Sequence, residues 1–133
     1  MRRTPPQPRR QNVSSGSPFE PAIGFSRAVR AGRHVFVSGT APVWPDGSCD
    51  PDPGVQARRC LEIILAALAE TGAGPGDVVR TRTFLVDVGD AGAVGAVHGE
   101  VFGEIRPAST MVAVSALLDP RWKVEIEAEA LLA

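Results

Sequence analysis

Near the end of the chain, from Lys123 to Ala130 (KVEIEAEA), apolar and acidic residues alternate at period two. Successive side chains of a β-strand point to opposite faces, so Val124, Ile126 and Ala128 share one face and Glu125, Glu127 and Glu129 the other. The first face belongs in a core. On the second, three carboxylates repel one another unless cations or a partner surface answer them. A second alternating run, Ser109 to Ser115, comes just before, and Asp119-Pro120 between the two marks a turn.

Upstream, Phe25 to Val29 reads as a short strand, Gly32 as a turn, and His34 to Thr40 (HVFVSGT) as a second strand that pairs with the first in a hairpin. Trp44-Pro45-Asp46-Gly47 opens a loop that runs to Gly54. Between Val55 and Thr71, Cys60, Leu61, Ile64, Leu65 and Leu68 recur at three and four, the stripe of an amphipathic helix, and Gly72 is its natural stop. Asp77 to Asp87 is a strand with Val79, Thr81, Thr83 and Leu85 on one face and Arg80, Arg82, Phe84 and Val86 on the other. Ala91 to Phe102 keeps helical spacing in spite of Gly92, Gly95 and Gly99.

The order β-β-α-β-α-β-β has two strand-helix-strand crossovers. Right-handed connections put both helices on one side of a mixed sheet, so the expected class is a two-layer α+β domain. The other sheet face has apolar content, Phe36 among it, and is expected to meet another subunit.

A length of 133 residues suits one domain with its own core, and no apolar run approaches the roughly 18 residues that span a bilayer. The two cysteines, Cys49 and Cys60, form no metal spacing and no disulfide framework, which points to a reducing, cytoplasmic setting. Residues 1–18 carry four arginines and four prolines and no acid, and are expected to form a disordered basic tail ahead of a domain over 19–133. No apolar segment follows the early Arg2-Arg3 pair, so a signal peptide is not expected. Setting the four tail charges aside from the whole-chain net of −1 leaves −5, which argues against nucleic-acid binding by the body of the protein.

The motifs Gly24-Phe25-Ser26-Arg27-Ala28-Val29, Val35-Phe36-Val37-Ser38-Gly39, Asp77-Val78-Val79-Arg80-Thr81, Phe102-Gly103 with Arg106-Pro107-Ala108, and Val124-Glu125-Ile126-Glu127-Ala128 occur in the order seen in the Rid family (reactive intermediate deaminases, also YjgF/YER057c/UK114). The chain resembles that family over about residues 23 to 130. The resemblance implies a chorismate-mutase-like fold, a homotrimer with a small-molecule cleft at each subunit boundary, and hydrolysis of 2-aminoacrylate-type enamines and imines without metal or organic cofactor.

Site roles carried over by position give Glu125 as the catalytic carboxylate that orients water. Phe25, Ser38, Gly39, Ser109 and Met111 become the ligand contacts. Three of these depart from the family pattern: Phe25 stands where a tyrosine is usual, Met111 where a cysteine is, and Ser109 where an arginine grips the substrate carboxylate. A bidentate cation has been exchanged for one hydroxyl, so a less polar, uncharged imine or enamine is the expected ligand. The plainer reading of Glu125, Glu127 and Glu129 is a ladder of ion pairs with Arg80, Arg82 and Lys123, and that of His98 a packed or surface histidine. Two further readings stay open: a trimer that binds a ligand or partner without chemistry, and a translation inhibitor that cleaves RNA.

Overall fold

Ile126, at the middle of the last alternating run, is fully buried, and the strand that carries it lies at the centre of the sheet. In the computed structural model, residues 9–133 are described. The strands are β1 (Arg10–Val13), β2 (Ala28–Ala31), β3 (His34–Thr40), β4 (Val78–Leu85), β5 (Ala108–Ala113) and β6 (Val124–Leu131), and the helices are α1 (Pro53–Glu70) and α2 (Ala91–Phe102). They form one sheet in the order β1-β2-β3-β6-β4-β5.

β6 pairs antiparallel with both β3 and β4. The parallel pairing expected of the crossovers is therefore direct only for β4 and β5. β3 and β4 run the same way with β6 between them. The turn at Asp119-Pro120 does not join a hairpin either, because β4 separates β5 from β6.

Val35, Val37, Leu85, Val124, Ile126, Ala128 and Ala130 line the covered face and pack against Cys60, Leu61, Ile64 and Leu68 of α1 and Val94, Val97 and Phe102 of α2. α1 begins at Pro53, two residues before the apolar stripe suggests. Asp52 caps it by accepting from the Val55 N–H at 3.0 Å, and proline suits the first helical position. Gln56, also fully buried, is a polar residue the stripe did not single out. Its amide donates to the carbonyls of Asp50 (2.7 Å) and Arg121 (3.0 Å), and its oxygen accepts from the Lys123 N–H (2.8 Å). Those bonds tie the loop before α1 to the start of β6, and each buried polar atom finds a partner.

Two expectations need correction. In β4 the register shifts between Val78 and Arg80, so Val78 takes the buried place and Val79 is exposed, whereas strict alternation put Val79 with Thr81. The expected disordered tail also contains a strand. Arg10–Val13 pairs with β2, Val13 is 4% exposed in the core, and Gln11 donates to the Glu70 carbonyl at 2.9 Å. A segment of polar composition was ordered here by main-chain pairing at a sheet edge and one apolar anchor. The rest of the basic segment, residues 1–8, lies outside the described residues.

Val13→Asp places an unpaired carboxylate in that anchor position. Urea denaturation should show a loss of about 2 kcal/mol or more; a change within about 0.5 kcal/mol would mean that β1 adds nothing to the fold.

Candidate functional site

On the sheet face turned away from the helices, Glu125 stands opposite Phe84 of β4, one residue after the buried Val124. Its other neighbour is the irregular end of β3, where the register with β6 shifts between Val37 and Thr40. Gly39 lies in that bulge. A Cβ added there would come within 2.6 Å of Glu125 Oε2, so a larger residue would push the carboxylate out of its present position. The bulge is held on three sides. Ser38 Oγ donates to the Ser26 carbonyl at 2.7 Å, Thr40 Oγ1 to the Ser38 carbonyl at 2.8 Å, and Arg27 Nη2 to the Gly39 carbonyl at 2.7 Å.

Glu125 is half-buried, and burial pushes its pKa above the ordinary value of 4.5. The nearby Arg27 charge pulls it back down, and Glu127 adds a smaller push upward. Arg27 is itself a partly buried cation whose own pKa burial lowers, and its Nε is buried without a hydrogen-bond partner. The motif reading assigned Arg27 no role. Nothing in the sequence separates it from Arg30, whose guanidinium bonds to the Gly32 and Thr71 carbonyls instead.

Phe25 and Ser38 line a hollow of about 500 Å³, together with Arg10, Asn12, Glu20 and Ser26. Glu125 is not one of its walls, and Ser38 links the hollow to the bulge under the carboxylate. Glu20 is buried and accepts from Ser14 Oγ (2.8 Å), Ser15 N (3.0 Å) and Ser15 Oγ (2.5 Å). The Ser15 hydroxyl does most to hold its pKa below the usual range.

Phe25, Ser38, Gly39 and Glu125 thus fall in one region, and Ser109 and Met111 do not. On β5 they stand opposite Thr81 and Thr83, both fully buried on the helix-covered side. Ser109 Oγ shares a 3.0 Å hydrogen bond with Thr81 Oγ1, and Met111 packs against the core. Within a single chain the sheet separates these two residues from Glu125. Arg106 is exposed just before β5, with φ +58°, and takes no part in that strand's alternation.

The ladder expected of the remaining carboxylates is present in reduced form. Arg82 Nη1 reaches Glu127 at 3.0 Å and Glu129 at 3.1 Å. Lys123 Nζ bonds instead to the Pro51 carbonyl. Glu125 has no ion pair among the described residues, which separates it from its two neighbours on the same face. No group of three or more His, Cys, Asp or Glu is arranged to hold a metal ion among the described residues, and no helix there is long and apolar enough to cross a membrane.

Fold and site together define a two-layer α+β domain of the YjgF type with one carboxyl seated on a glycine at a strand bulge. The family described as Endoribonuclease L-PSP matches residues 16–132, and the chain belongs to that family, the Rid/YjgF group its motifs resemble. It is similar to an uncharacterized Streptomyces coelicolor protein, 40% identical over 121 residues that cover 90% of each chain. It is 38% identical over 112 residues to the 2-iminobutanoate/2-iminopropanoate deaminase of Salmonella typhimurium, across 80% of this chain and 87% of that one. Among solved structures, Rv2704 of Mycobacterium tuberculosis, a member of the YjgF/YER057c/UK114 family, superposes with a TM-score of 0.86 at 46% identity, over 92% of this chain and 99% of that one.

Because the Glu125 pKa is raised, the folded chain holds a proton there that the unfolded chain gives up. The carboxyl favours the fold fully below pH 4.5 and costs stability as pH rises through its raised native value. Glu125→Gln, which removes the charge and keeps the shape, should therefore raise the Tm at pH 7 and leave it unchanged at pH 4. An unchanged Tm at both would mean that the carboxylate is solvated.

Proposed function

We propose that the protein adds water to a small, uncharged imine or enamine at a site completed between copies of the chain. The observation that carries this reading is Glu125: half-buried, free of ion pairs among the described residues, and raised in pKa by burial where it lies against Gly39. Carboxyls tuned in this way serve proton transfer near neutral pH. The carboxylate takes a proton from water as its oxygen bonds to the imine carbon, and returns that proton to the nitrogen. The resulting carbinolamine collapses to a carbonyl compound and an amine. Ser38 and Gly39, joined to the Phe25 hollow, supply the ligand's bed on this side.

Hydrolysis of an imine is the activity in the name of the Salmonella relative, and we extend the reaction type, with a different substrate, to this chain. The difference follows from Ser109, which offers one hydroxyl where a carboxylate-bearing substrate needs a fixed cation. The assembly is part of the same reading. Ser109 and Met111 lie on the opposite side of the sheet from Glu125, so one small ligand can touch both sets only if a second copy supplies one of them. A homotrimer is the proposed form, and light scattering should report three copies.

A binding protein without chemistry is the second reading, favoured by the exchange of the clamp for Ser109; tight retention of an imine with no turnover would establish it.

N-benzylidenemethylamine is an uncharged imine whose hydrolysis to benzaldehyde and methylamine is followed by absorbance. The protein should accelerate it, while 2-iminobutanoate should show little or no acceleration. Glu125→Gln should lower the rate about 100-fold. Robust turnover that survives this substitution removes Glu125 from the chemistry.

A further inference from the structure

Ser109 ends a chain of hydrogen bonds that leads into the protein. Its Oγ lies 3.0 Å from Thr81 Oγ1, which is fully buried, and Thr81 Oγ1 lies 2.8 Å from Nε2 of His98 on α2. The His98 ring packs against Phe102, with centroids 4.8 Å apart. We propose that Ser109, Thr81 and His98 form a proton relay between the bound ligand and a half-buried imidazole. This inference rests on the reading that Ser109 meets the ligand, and gives that side of the site a chemical role in place of a charged clamp.

A hydroxyl both donates and accepts, so the chain runs in either direction. With Nε2 bare, Thr81 donates to His98, Ser109 donates to Thr81, and Ser109 offers the ligand only lone pairs. With a proton on Nε2 the order reverses, and Ser109 donates outward. In the first state, the carbinolamine hydroxyl gives its proton to Ser109 Oγ and becomes an alkoxide. The Ser109 proton passes to Thr81 and the Thr81 proton to Nε2, leaving an imidazolium. The reversed chain then returns one proton to the nitrogen, and the C–N bond breaks as the C=O bond forms. Protons and charge balance, and no further reactant is needed.

Burial holds the His98 pKa below its ordinary 6.5, so the imidazole rests neutral at pH 7 and, once protonated, gives its proton back readily. Charged groups on the elements around α2 include Asp87 and Asp90 at its N-terminal turn, Asp77 before β4, the Arg58–Glu100 pair between α1 and α2, and Arg80 and Arg82, which alternate to the other face of β4. Burial is the one cause of the shift, and none of these charges contributes.

The test uses N-benzylidenemethylamine and the intact chain. Thr81→Val, close in shape but without the hydroxyl, and Ser109→Ala should each lower kcat about 100-fold with KM little changed. Thr81→Ser should restore the rate to within about twofold. His98→Gln should remove the acidic limb of the pH profile. If Thr81→Val keeps the parent rate and profile while Glu125→Gln abolishes turnover, the relay is refuted and the hydrolase reading stands. If the parent protein hydrolyses no imine, that reading has failed, and imidazole NMR decides the relay by itself. The chain has two histidines, so the His98 signals are readily separated. Ser109→Ala should move the His98 Nε2 resonance, and should not move it in a Thr81→Val background. A His98 resonance indifferent to Ser109→Ala overturns the relay.

Discussion

The structure depends on the two-sidedness of β6. Its apolar side chains fill the space between the sheet and α1 at full burial, and because that strand sits between β3 and β4 it transmits its register to both. A one-residue slip would turn Glu125, Glu127 and Glu129 into the core and Val124, Ile126 and Ala128 out of it, which is why the register is strongly specified. The position of Glu125 relative to Gly39 and Phe84 is therefore a by-product of core packing. The carboxyl is held in place by residues on the other side of the sheet.

Three carboxylates on one face meet three environments. Arg82 takes up Glu127 and Glu129 at partly exposed positions, where solvent screens such pairs. Glu125 instead faces a glycine and has a cation near it without touching it. Arg27 binds the Gly39 carbonyl and thus stabilises the bulge on which the carboxyl is seated, while its charge restrains the upward drift of the Glu125 pKa. The same arginine accordingly sets both the shape of the seat and the proton affinity of its occupant.

On the far side of the sheet, β5 is an edge strand whose Ser109 is backed by a buried hydroxyl and a half-buried imidazole rather than by a charge. The two polar regions differ in kind: one is a carboxyl whose charge is discouraged by burial, the other a neutral chain of hydrogen bonds with no fixed direction. The Ser109 side offers no fixed cation to a carboxylate-bearing ligand.

How much of this was legible depended on the range of the interactions. The alternation of β6, the apolar stripe of α1 and the hairpin of β2 and β3 are local patterns, and each appears where the sequence placed it, within a few residues. The shared face of Thr81, Thr83 and Leu85 on β4 was visible too. The order of strands was not, since the face of each strand can be read by itself while its neighbours cannot. Gly39 beneath Glu125, Arg27 beside them, Gln56 across the Asp50 and Lys123 segments, and Ser109 on the side opposite Glu125 all join positions far apart in the chain. The sequence by itself determined the elements, their buried faces and the family, because periodicity and turn chemistry act over a few residues. Only the tertiary structure decided which side chains share a site, because that follows from how strands distant in sequence pair, and from the bulges that shift them.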